Sequence, residues 1–85
     1  MKARSDDEIL ARYLQDGRLK TIPSKLSRKL IVLRWLSEMF AEGSRYDEKE
    51  VNAILSRVHP DYATLRRDLC DYEFMDRRDG VYWRR

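Results

Sequence analysis

The sequence predicts a mainly α domain closed by a small β-hairpin. Apolar residues recur at helical spacing in four separate stretches between Ile9 and Tyr72. Two short helical stretches are divided by His59–Pro60, which breaks the periodicity sharply. Asp79–Gly80 then lies between two apolar-rich runs, a strong short-range hairpin signal. The order is helix, helix, short extended bridge, helix, sharp turn, helix, hairpin. That is the order of a winged helix-turn-helix with an extra helix in front, filling residues 1–85 as a single domain.

The N-terminal helix is expected within residues 1–17. Ser5 and Glu8 have capping-box spacing, Ile9, Leu10, Tyr13 and Leu14 share one face, and Gly17 is the expected stop. Arg18 to Pro23 reads as an extended connector, because Pro23 pushes Ile22 away from helical backbone. A long central helix is expected over residues 24–42, with Ser24 as its N-cap and Gly43 as its end. Its main stripe is Leu26, Leu30, Leu33, Leu36 and Phe40. A second arc, Ile31, Val32, Trp35 and Met39, lies nearly opposite. Two arcs imply burial on two sides, so the second must meet either the N-terminal helix or another chain.

The helix-turn-helix is expected over residues 45–73. Arg45–Tyr46 forms an extended bridge able to pair with the hairpin as a third strand, and Asp47 with Glu50 repeats the capping-box spacing. Val51, Ile54, Leu55 and Val58 form one narrow apolar face. Asp61 is the preferred cap of the next helix, with His59 as cap and Pro60 at the first helical position as the alternative. Tyr62, Leu65, Leu69 and Tyr72 are its expected inner face, with Ala63, Arg67 and Cys70 turned outward. Residues 74–85 form the wing hairpin.

Apolar residues at 42% and charged residues at 39% describe a folded domain with a heavily charged surface, not a disordered tail. A single cysteine, Cys70, excludes an internal disulfide. Charges interrupt the start of the chain and no apolar run is long enough to span a bilayer. The expectation is therefore a cytoplasmic protein with no signal peptide and no membrane contact. The net charge of +3 is unevenly spread. Arg18, Lys20, Lys25, Arg28, Lys29 and Arg34 follow one another with no acid between them, whereas nine bases meet nine acids from Gly43 onward.

Four segments in order, Gly17-Arg-Leu-Lys-Thr-Ile-Pro23, Arg45-Tyr-Asp-Glu-Lys-Glu-Val-Asn-Ala-Ile-Leu55, Asp61-Tyr-Ala-Thr-Leu-Arg-Arg-Asp-Leu69 and Tyr82-Trp-Arg84, carry a family resemblance. The chain from Leu10 onward resembles a small bacterial domain family of unknown function associated with transcriptional regulators. That family occurs alone or after a DNA-binding domain of the arsenic-repressor type. The resemblance implies a place in gene regulation without fixing the biochemical act.

The residues themselves favour double-stranded DNA as partner. Arg66 and Arg67 lie on the helix that would enter a major groove, where arginine is the commonest reader of guanine edges. Against this, the same stretch carries Asp61, Asp68, Asp71 and Glu73, which phosphates would repel unless they turn away or are paired. Arg77 and Arg78 sit at the wing, and Arg18, Lys20, Lys25, Arg28 and Lys29 form an upstream patch suited to phosphates. Solvated surface charge and local ion pairing are the bland readings of all these groups. The competing function is a protein-interaction or dimerisation module, with Ile31, Trp35 and Met39 as its interface and a second copy as one candidate partner. Nothing points to an enzyme or a cofactor. His59 has no second histidine to make a metal site with and reads as a turn residue, and Cys70 has no catalytic partner placed near it in sequence.

Overall fold

A computed structural model describes the backbone of residues 2–85 and the side chains from Asp6 onward. About half of the chain is helical, in four helices accompanied by two small antiparallel sheets. The helices are α1 (Lys2–Tyr13), α2 (Leu26–Ser37), α3 (Glu48–Ser56) and α4 (Tyr62–Asp71). The first sheet pairs β1 (Leu14–Gln15) with β2 (Arg18–Leu19). The second has the order β3-β5-β4, built from β3 (Arg45–Asp47), β4 (Met75–Arg78) and β5 (Val81–Arg84).

The first 17 residues are not one helix. α1 begins at Lys2, three residues before Ser5, so the Ser5–Glu8 spacing does not mark its start; the Ser5 side chain lies outside the described residues. The chain then turns at Asp16–Gly17 instead of ending a helix there. Both residues have positive φ, 54° and 76°, as a two-residue type I′ hairpin demands. The resulting hairpin docks Leu19, 4% exposed, into the core, and the Leu19 N–H donates to the Val58 carbonyl at 2.9 Å.

The central helix is shorter than its apolar stripe. Lys25, not Ser24, occupies the N-cap, with no side-chain cap, and α2 ends at Ser37 rather than near Gly43. Leu33 and Leu36 are buried as expected, but Leu26 is exposed because it lies in the first turn, beyond the core's edge. Phe40 is fully buried from the turn after the helix. Its ring meets Tyr46 edge-on at 5.1 Å, the Ala41 N–H donates to Tyr46 Oη at 2.8 Å, and Arg84 donates to the Phe40 carbonyl at 3.4 Å. Those tertiary partners satisfy backbone groups that a longer helix would have paired internally. α1 packs on α2, so the second arc of α2 faces in part onto the N-terminal helix, with Trp35 and Met39 half-buried against the core.

The caps of the next two helices follow the sequence. Asp47 and Glu50 exchange side-chain and backbone hydrogen bonds at 2.8 and 3.0 Å, closing a capping box on α3. Asp61 caps α4, accepting from the Thr64 N–H at 3.4 Å and from its hydroxyl at 2.8 Å. His59 Nδ1 accepts from the Asp61 N–H at 3.0 Å, which makes it a turn residue. The inner face of α4 is Leu65, Asp68 and Leu69. Tyr62 and Tyr72, expected inside, are exposed, since a ten-residue helix crossing α3 buries only its middle. Cys70, expected outside, is half-buried against the core.

β3 joins the C-terminal hairpin as its third strand, pairing Arg45 with Trp83, Tyr46 with Tyr82 and Asp47 with Val81. Asp79 and Gly80, with φ of 53° and 78°, close the hairpin through the same turn type as Asp16–Gly17.

Candidate nucleic-acid interface

Arg66 and Arg67, neighbours in sequence, meet Arg77 in one shallow cleft. Its walls are Ala63, Thr64, Arg66 and Arg67 of α4 and Arg77 of β4. Strand parity explains the last of these. Arg77 lies opposite the buried Tyr82 and therefore projects from the sheet face that looks toward the helices. Arg78, one residue on, projects from the other face, is almost fully exposed, and stands 4.0 Å from its neighbour Asp79.

The two α4 arginines have different environments. Arg66 is anchored by α3: its guanidinium donates to Asn52 Oδ1 and lies 4.0 Å from Glu48 Oε1. Glu48 in turn accepts from the Tyr82 hydroxyl at 3.2 Å, so helix α3, helix α4 and strand β5 are tied together at this point. Arg67 is exposed and enters none of the described ion pairs. The Tyr82 phenol beside Arg77 raises the pKa of its guanidinium above the ordinary value, on a group that is cationic at physiological pH in any case. Burial pushes the Cys70 thiol up, with the charge of Arg77 working in the opposite direction.

Three of the four acids of the α4 segment are engaged by neighbouring groups. Asp61 is occupied as a cap. Asp68 is buried on the α2 side, where Lys29 Nζ stands 3.6 Å from its Oδ2, an atom that has no hydrogen-bond partner. Glu73 pairs with Arg85 at 3.2 Å. Asp71 is exposed and enters none of the described ion pairs.

The upstream basic patch divides. Arg18 and Lys20 are exposed around the β1–β2 turn, and Lys25 is exposed at the start of α2. Arg28 is half-buried and donates to the Tyr13 hydroxyl at 3.4 Å, while Lys20 N–H donates to the Tyr13 carbonyl at 2.7 Å, so this group is gathered around Tyr13. Lys29 leaves the patch: it faces inward to Asp68 and sits 5.9 Å from the centre of the Tyr72 ring. The terminal arginines are also engaged, Arg84 with Glu42 at 3.7 Å and Arg85 with Glu73 and Asp76.

Sequence reading located the three cleft arginines and offered local ion pairing as their bland reading, which Arg66 takes up with Glu48; it singled out neither Glu48 nor Asn52. No periodicity marks these two; their roles depend on α3 and α4 packing side by side. Of the interface candidates, Ile31 and Trp35 of α2 border a separate groove, and Met39, in the turn after α2, packs against the core. Among the described residues, no helix is long and apolar enough to cross a membrane, and no three or more His, Cys, Asp or Glu side chains are grouped to hold a metal.

A family described as an uncharacterized protein conserved in bacteria (DUF2087) matches residues 18–84. No curated protein and no solved structure matches the chain.

Proposed function

The chain belongs to the DUF2087 family of proteins conserved in bacteria, and from that premise we propose that it is a DNA-binding regulator of winged helix-turn-helix type. The observation that carries the reading is the cleft of Arg66, Arg67 and Arg77, set between a helix and a hairpin, with Asp61 serving as a cap, Asp68 buried, Glu73 paired and Asp71 left exposed. In this reading α4 enters the major groove and Arg67, the unanchored cation, reads base edges. Arg66, held by Asn52 and Glu48, contacts a phosphate at fixed register. Arg77 and Arg78 follow the flanking backbone, and Arg18, Lys20, Lys25 and Arg28 hold further phosphates. The strand order β3-β5-β4 around α3 and α4 supports the winged-helix assignment.

The test is an anisotropy titration of the full chain against random duplex DNA at two salt concentrations. Binding should weaken steeply with salt, with a slope of about −0.9 per phosphate neutralised. Arg67→Ala should relax sequence preference in a selection from random duplexes, whereas Arg18→Ala should weaken all duplexes alike. Absence of duplex binding at low salt would sink the reading.

The second reading is a protein-interaction or dimerisation module centred on Ile31, Trp35 and Met39. What favours it is the open groove beside Ile31 and Trp35; what weakens it is α1, which already packs on this side of α2. A concentration-dependent dimer mass that Ile31→Glu abolishes would support it.

A further inference from the structure

Opposite in character to the arginine cleft is a groove of about 380 Å³ between α1 and α2, lined also by Phe74. Trp35 and Phe74 give it two aromatic walls, and Leu10 and Leu30 complete an apolar lining. Around this lining stand three carboxylates, those of Asp6, Asp7 and Glu38, against the single guanidinium of Arg34. None of these four enters the described ion pairs. The volume is within the ~300–1,000 Å³ range of small-molecule sites. An apolar cavity with few charges, all but one of the same sign, selects by charge as well as by size.

The position of Phe74 is fixed by the chain rather than by the groove. The Phe74 N–H donates to the Leu69 carbonyl at 2.9 Å, the Arg85 N–H donates to the Phe74 carbonyl at 3.1 Å, and Glu73 before it has φ of 65°. One wall is therefore set in place by the end of α4 and the last strand, and Trp35 by the middle of α2, so the groove is preformed. Phosphate-bearing ligands are disfavoured by the carboxylates. A cation with aromatic substituents satisfies every feature: its rings fill the apolar lining, and its charge is attracted both by the carboxylates and by the face of Trp35.

We propose that the α1–α2 groove is a binding site for lipophilic organic cations carrying aromatic rings. The site is separate from the arginine cleft, so its test does not depend on DNA binding. The probe is tetraphenylphosphonium, with sodium tetraphenylborate as a control of nearly the same shape and opposite charge. In the full chain carrying Trp83→Phe, Trp35 is the one remaining tryptophan, and its fluorescence reports on the groove. The phosphonium should quench it saturably, and the borate should not at the same concentrations. The chain's net charge of +3 would by itself favour the anion, so a preference for the cation must come from the groove. Asp7→Asn with Glu38→Gln, both at exposed positions, should weaken the phosphonium by about tenfold without changing the melting temperature. Equal responses to the two ions, no saturable response to the cation, or unchanged affinity in the double variant would overturn the proposal. So would self-association that covers Trp35, which would assign the groove to a second copy.

Discussion

Glu73 holds left-handed backbone, φ 65°, at the end of α4, where the Glu73 N–H donates to the Cys70 carbonyl and the Phe74 N–H to the Leu69 carbonyl. This is a Schellman ending with a side chain at the position that usually takes glycine. Glu73→Gly should therefore stabilise the fold by about 0.5–1 kcal/mol, partly offset by the loss of an exposed ion pair, and thermal denaturation should show a rise of a few degrees. Lys29 gives a prediction of the opposite sign. Removing it strands the buried Asp68 carboxylate, so Lys29→Ala should cost about 1–3 kcal/mol in a denaturant titration while leaving duplex affinity nearly unchanged. At Cys70 the folded thiol has its pKa raised above its ordinary value of 9.0, chiefly by burial. Above that pH the unfolded thiol ionises while the folded one keeps its proton. Stability contributed by the protonated thiol is present below the unfolded pKa and is lost as pH rises toward the folded one. Cys70→Ala should consequently show a shallower decline in stability above about pH 9 than the parent chain, measured by denaturation at stepped pH. Asp68 was legible as an acid on α4 but not as Lys29's partner, because the pair joins residues from two helices whose packing no local pattern encodes.

Among the elements, the two hairpins show how the same signal can be used once and overlooked once. Asp79–Gly80 is flanked by apolar-rich runs and reads as a turn; Asp16–Gly17 follows a helical pattern and reads as a helix end. Both adopt the same pair of positive φ values, because Asp-Gly satisfies a two-residue turn whatever precedes it. The short β1–β2 hairpin is held less by its own ladder than by Leu19, which it delivers to the core beside Val58. Leu19→Ala should destabilise the protein by about 2–4 kcal/mol, and α1 should lose protection from amide exchange together with the hairpin. The α3–α4 pair was better specified: both caps lie in sequence beside the turns they close. The length of α2 was not, since Phe40 continues the apolar period yet is buried from a turn held by Tyr46 and Arg84.

For the whole molecule, dimensions of 37 × 25 × 20 Å make the longest axis comparable with one turn of B-form DNA, ~34–36 Å. On the proposed function, a single copy can span a turn, and the cleft and the patch around Tyr13 are two independent sources of phosphate contact. Removing Arg18 and Lys20 together should reduce the salt slope by about 1.8 if both reach phosphates, with the sequence preference set by Arg67 retained. An unchanged slope would confine the interface to α4 and the wing. The acidic, apolar groove between α1 and α2 is a separate surface with the opposite charge preference.

Local pattern specified the number and order of the helices after residue 24, the caps of α3 and α4 and the turn at Asp79–Gly80. Each depends on residues a few positions apart, whose hydrogen bonds are local and whose period is set by backbone geometry. The tertiary structure decided where α2 stops, which face of α4 is buried, and which bases remain exposed. Arg66 is anchored by Asn52, Lys29 is spent on Asp68, and Arg67 and Arg77 meet only because a strand and a helix are brought side by side. Those outcomes depend on packing between segments far apart in the chain, where charge and shape compete across space and no spacing within one segment records the result.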